Sequence, residues 1–317
     1  MPEPLPPPPS PELESIEDRI ARLFAGPQGI RAGWRWLIFV GITLACGGLL
    51  ILAAVVTHLL RLHAAQPAAQ SFTASLLLIQ EGIFVVSLFV AATVMSKIER
   101  RPMAQYGLPA REAFGRRFWS GALWGIVAIS AAMLLIAALH GFSFGSVALV
   151  GLPALAGYAL LWALVFLLTG FSEEFLFRGY SQFTLSSGMG FWPAAIFLSL
   201  LFGAGHLSNA GEAWPGALSA AYIAFFLCFT LRRTGNIWFA VGLHAAWDYG
   251  ETFVYGVPDS GIVAPGHFLN SSLHGPRWLT GGKVGPEASV ACFVVISLMF
   301  LVFHFVYPAK EKASAAL

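Results

Sequence analysis

Apolar residues run along this chain in stretches long enough to cross a bilayer, separated by short polar or glycine- and proline-rich segments. A hydrocarbon core of about 30 Å takes roughly 20 apolar residues of helix. On that measure eight segments predict spans: 36–60, 72–96, 118–140, 150–187, 191–209, 214–231, 236–255 and 288–307. The fourth is too long for a simple crossing. The pattern predicts an all-α membrane protein, a bundle of about eight transmembrane helices, and no internal repeat is evident.

Before the first span, MPEPLPPPPSPELES is a proline-rich extended tail. It lacks the charged-then-apolar order of a secretory signal, so it is expected to stay on the mature protein. In 13–26, Leu13, Ile16, Ile20, Leu23 and Phe24 share one helical face and predict a short amphipathic helix, either on the membrane surface or as a solvated linker. The expected organisation is therefore this tail and helix (1–35), N-terminal spans (36–145), a core (146–255), a loop rich in Gly and Pro (256–287), and a last span with a tail (288–317).

Composition supports the membrane class: 57% of residues are hydrophobic and 11% charged, against about a quarter charged in soluble domains. A net charge of +2 and the lack of a Lys/Arg-rich run with interleaved aromatics argue against nucleic acid as a partner. Cys46, Cys228 and Cys292 sit inside apolar runs and read as small hydrophobes. Loop charge sets orientation. Lys97, Arg100, Arg101, Arg111, Arg116 and Arg117 make the 97–117 loop cytoplasmic, as do Arg232 and Arg233 for the connection after them, and Lys310 and Lys312 for the C-terminal tail. Arg61 stands alone in the first opposite loop, and Arg277 and Lys283 weigh little in one as long as 256–287. Both termini are thus expected to be cytoplasmic, with 256–287 extracytoplasmic.

Ionisable residues interrupt this apolar background. An ionised side chain at mid-bilayer costs about 2.5–3.5 kcal/mol even on the gentler scales, and such residues are functional candidates by default. Glu173, Glu174 and Arg178 lie in 170-GFSEEFLFRGY-180, His206 ends 202-FGAGH-206, and His244 and Asp248 share a face in 244-HAAWD-248. Glu81 and Gln80 are a weaker case. His58, His140 and His304 read as packing residues, and His63, His267 and His274 fall in loops. Glu174 and Arg178, four apart, can neutralise each other, whereas Glu173 points about 100° away and needs a partner from another span. Counting about 1.5 Å per residue, His206 lies about 22 Å into the fifth span, and His244 and Asp248 lie about 12 and 18 Å into the seventh. Glu173 reaches a comparable depth, about 21 Å, if its helix runs on past Arg178 to Ser187, with Gly188 as the stop. A buried polar catalytic cluster of Glu173, His206, His244 and Asp248 follows.

Two arrangements are open. Glu173 acts as general base on water while a histidine orients that water and His244 with Asp248 stabilises an oxyanion; or two histidines and a carboxylate hold Zn²⁺. Either is a hydrolase. No G-x-S-x-G, H-E-x-x-H or P-loop competes.

Three motifs in order, E-E-x-x-x-R (Glu173, Glu174, Arg178), F-x-x-x-H (Phe202, His206) and H-x-x-x-N/D (His244, Asp248), resemble the CPBP family, the Abi or CAAX prenyl endopeptidase group of intramembrane proteases. The resemblance covers about 150–255. It implies a membrane-embedded endopeptidase in which Glu173 and His206 activate water, with Glu174, Arg178 and Phe202 in support. It also implies that His244 and Asp248 support the oxyanion or take part in metal binding; a zinc site would then be His206, His244 and Asp248. Asp in place of Asn at the third motif favours the metal reading or a protonated Asp248. The expected partners are membrane lipid and a peptide or membrane-protein tail. Arginine in excess of lysine points to a bacterial inner membrane. A non-catalytic scaffold or bacteriocin-immunity protein of the same fold is the rival reading.

Overall fold

The computed structural model describes residues 22–26, 29–57, 74–148, 151–209, 213–261 and 265–309. The proline-rich tail, residues 13–21 of the expected surface helix, His58, Arg61, His63, Lys310 and Lys312 lie outside the described residues.

The described part of each of the eight apolar segments is largely helical. α1 is Ala32–Val56, α2 Ala74–Glu99 and α3 Arg116–Ala138. α4, Leu152–Glu174, continues through a π-helical turn, Phe175–Ser181, into α5, Gln182–Met189. α6 is Phe191–His206, α7 Trp214–Thr234, α8 Trp238–Asp248 with a π-helical extension Tyr249–Val254, and α9 Val290–Val306. Five are long and apolar enough to cross a bilayer: α1, α2, α3, the 38-residue α4–α5 unit and α7. α6 and α9 are shorter apolar helices. Leu44, Leu52, Leu123, Leu134, Leu160 and Leu200 stand exposed on the outside, an arrangement suited to lipid rather than water. The protein is a multi-pass integral membrane protein.

The over-long fourth segment is one unit, as the depth of Glu173 requires. It passes Gly188, the stop expected from the sequence, and ends at Gly190, where φ is 85° and ψ 162°. A glycine inside a helix is only a weak breaker; termination comes where the backbone takes up a positive φ. Within the π turn, Gly179 has ψ −112°, so the chain is redirected there.

α8 is held by backbone contact on two sides. Residues 121-GALWG-125 of α3 have the small-xxx-small spacing that lets membrane helices approach closely. A Cβ at Gly121 would stand 2.0 Å from the Phe239 carbonyl oxygen, and one at Gly125 2.2 Å from that of Leu243. Gly242 of α8 returns the fit, 2.1 Å from the Phe118 carbonyl oxygen. Across α8, a Cβ at Gly170 of α4 would lie 2.9 Å from the Ala245 nitrogen. Phe226, Phe239, Ile296 and Phe303 fill the core where α7, α8 and α9 meet.

Polar contacts define the two ends. Ile237 N–H donates to the Gly107 carbonyl (3.1 Å), Trp238 Nε1 to that of Pro109 (3.0 Å), and Asn236 Nδ2 to Glu112 Oε2 (2.9 Å). The two arginine-bearing connections therefore lie at one end. Arg35 joins Glu99 (2.6 Å) and Ser187 (2.7 Å) there, tying α1 to α2 and α5. At the opposite end Phe142–Ser143 pairs antiparallel with Ser272–Leu273.

Candidate active site

The tight seat of α8 fixes where His244 and Asp248 point. Both line a cavity of about 250 Å³, together with Glu173 from α4, Phe202 and His206 from α6, and Glu81 and Gln80 from α2. Four segments far apart in the chain thus bring their polar residues to one place.

His244 is the centre of the cluster. Its Nδ1 is 2.9 Å from Glu174 Oε1, the oxygen that Arg178 Nη1 also reaches at 3.1 Å. A carboxylate only accepts, so Nδ1 carries the hydrogen and Nε2 is turned toward the cavity. There it lies 3.7 Å from Glu173 Oε2 and 3.5 Å from Asp248 Oδ2. Glu174 is 0% exposed at its side chain, Arg178 1%, and Glu173 29%. The adjacent glutamates are thereby divided: one is sealed against Arg178 and His244, the other opens on the cavity.

Phe202 joins the motifs physically. The Arg178 guanidinium lies 4.8 Å from its ring centre. The His206 ring is 4.6 Å away and that of His244 6.4 Å. His206 Nδ1 donates to the Phe202 carbonyl (2.9 Å), which leaves Nε2 with a lone pair.

The expected zinc ligands His206, His244 and Asp248 line one cavity, but their ligand atoms are not all within 4.8 Å of one another. Among the described residues, the set whose ligand atoms all lie within 4.8 Å of one another is instead Glu251, Asp259 and Glu287. His206 and His244 each give Nδ1–H to a protein oxygen, the Phe202 carbonyl and Glu174, which leaves each Nε2 as the nitrogen available to the cavity.

Sequence reasoning did not find several of these partners. It gave Glu174 to Arg178 alone, although Glu174 also holds His244. Glu251 was open to discovery, three residues after Asp248 and seven after His244 on one helical face. Asp259 and Glu287 sit in irregular chain with no periodic signal. Asp259 lies beyond the helices, where burial, then the Asp248 and Glu287 carboxylates, hold its carboxyl well above the ordinary range; the Thr252 hydroxyl opposes them. Glu81, the weaker candidate, accepts from Ser172 Oγ at 2.9 Å beside Glu173. His140 and His304 are exposed rather than packed.

Residues 155–250 match a family model described as type II CAAX prenyl endopeptidase Rce1-like. This core is similar to the CAAX prenyl endopeptidase family. The match takes in every residue of the three motifs and stops before Glu251, Asp259 and Glu287. It supports a CAAX-type intramembrane protease in general terms. No curated protein matches the chain.

Proposed function

We propose that this protein is an intramembrane endopeptidase that hydrolyses a peptide bond of a membrane-associated peptide or protein, with Glu173 as general base. The observation that carries the reading is the approach of Glu173 and Asp248 to His244 Nε2, at 3.7 and 3.5 Å, in a cavity that His206 shares. These groups are too far apart for good direct hydrogen bonds and open on one cavity, where a water can reach Glu173 and His206. Glu173 takes a proton from the water, and the lone pair on His206 Nε2 orients it. Attack on the carbonyl places negative charge on its oxygen. His244, protonated at Nε2 and held by Glu174 at Nδ1, donates to that oxygen, with Asp248 as a second donor when protonated. Glu173 then passes its proton to the leaving amine.

A packing-only role for the cluster does not account for Glu173, which faces the cavity and has no pairing with Arg178. Loop charge further supports eight spans with both termini cytoplasmic, and the excess of arginine over lysine supports a bacterial inner membrane. Cleavage of a fluorogenic peptide by pure protein, wild type against Glu173→Gln, tests the assignment: equal rates would end it.

A further inference from the structure

Three acidic residues that the proposed reaction does not use converge beside the same cavity. Glu251 comes from the π-helical extension of α8, Asp259 from the loop after it, and Glu287 from the short turn Pro286–Ala288 before α9. Their ligand oxygens lie within 4.8 Å of one another. Among the described residues no lysine or arginine forms an ion pair with any of them. Like charges held this close oppose one another's ionisation unless a counter-charge joins them.

Each carboxylate has one oxygen fixed from outside the trio. Trp247 Nε1 donates to Glu251 Oε2 at 3.0 Å, and Thr252 Oγ1 to Asp259 Oδ2 at 2.9 Å. Ser260 gives both its N–H (3.1 Å) and its hydroxyl (2.8 Å) to Glu287 Oε2. Outer donors of this kind orient carboxylates that ligate metals. A separate observation shows that something is unsatisfied: Glu251 is 0% exposed, yet its Oε1 has no hydrogen-bond partner in the protein. Gly285 leaves room beside that oxygen. A Cβ there would stand 3.1 Å from Glu251 Oε1 and 1.9 Å from the Pro258 carbonyl oxygen.

We infer that Glu251, Asp259 and Glu287 bind a hard divalent cation of the calcium, manganese and magnesium class. Donors that are all oxygen, without imidazole or thiolate, suit that class. Asp259, Ser260 and Glu287 line the cavity, which gives the ion its path of entry. The ion would tie Asp259 and the turn before α9 to the end of α8, next to the reacting groups without joining them.

Terbium is the probe, because Trp247 sits against Glu251 and can sensitise its luminescence. Full-length protein in detergent, stripped with chelator, should show saturable terbium emission on excitation of tryptophan. Calcium should displace it and should also raise the melting temperature. Asp259→Asn and Glu287→Gln should each weaken terbium binding at least tenfold. Should either fail to fold, Ser260→Ala keeps all three carboxylates and should still weaken binding, since loss of such outer donors costs roughly 10–100-fold. His206→Ala should leave terbium binding unchanged. No saturable emission from wild type, or wild-type affinity in the variants, overturns the site. None of these readouts depends on peptide cleavage, so the cation site and the protease reading stand or fall separately.

Discussion

Glu174→Ala removes one partner from two buried groups at once. Arg178, 1% exposed, loses its carboxylate at 3.1 Å, and His244 loses the acceptor at Nδ1. Breaking a buried ion pair from one side costs about 3–5 kcal/mol, because the charge left behind has no compensation. Here the Phe202 ring, 4.8 Å from the guanidinium, still offers Arg178 a cation–π contact that returns about 0.5–2 kcal/mol. A net loss of about 3 kcal/mol is the expected value. Replacing both partners by apolar side chains is often neutral or stabilising. Glu174→Ala with Arg178→Met should therefore recover most of the loss. Unfolding in mixed detergent micelles, followed by tryptophan fluorescence, measures all three variants. Peptide cleavage should stay low in the double variant, because His244 is still without its acceptor. Stability of the single variant within about 1 kcal/mol of wild type would refute the reasoning, as would a double variant no more stable than the single.

Glu173→Gln should retain expression and melting temperature while cleavage falls by about 100-fold or more, the scale of a lost general base; full activity would remove Glu173 from the mechanism. A zinc-selective chelator should leave wild-type cleavage intact, and elemental analysis of active protein should find little zinc; activity lost on chelation and restored by zinc would reinstate a metal at His206, His244 and Asp248. Asp248→Asn should preserve activity or raise it at alkaline pH, since an ionised Asp248 repels the oxyanion where an amide donates; a pH–rate profile that falls at every pH counts against this. Single cysteines replacing Arg111 and Ser272 should label from opposite sides of the membrane, and labelling from one side would end the eight-span topology.

Much of the architecture was legible because lipid imposes a simple code: helices of about 20 apolar residues separated by charge. The excess length of the fourth segment was legible for the same reason, and it placed Glu173 near the two histidines. What the code did not contain was who touches whom. The i, i+4 rule joined Glu174 to Arg178 and stopped there, since nothing in a single helix indicates that His244 will meet the same oxygen. Asp259 and Glu287 were invisible because the segment that carries them has no period to read. The helix stop was misplaced by two residues, from Gly188 to Gly190, because which glycine adopts a positive φ depends on the turn that follows.

The glycine contacts on α8 have a consequence for how this protein tolerates change. Gly121, Gly125 and Gly242 have no part in the chemistry, yet a methyl group at any of them would meet a backbone oxygen at 2.0–2.2 Å. Backbone cannot yield as a side chain can, so α8 would tilt, carrying His244 and Asp248 out of register with Glu173. A saturation screen scored on cleavage would then mark these glycines as intolerant as Glu173 itself. The two groups would separate only in a parallel screen for folded protein, where the glycine variants fail and Glu173→Gln survives.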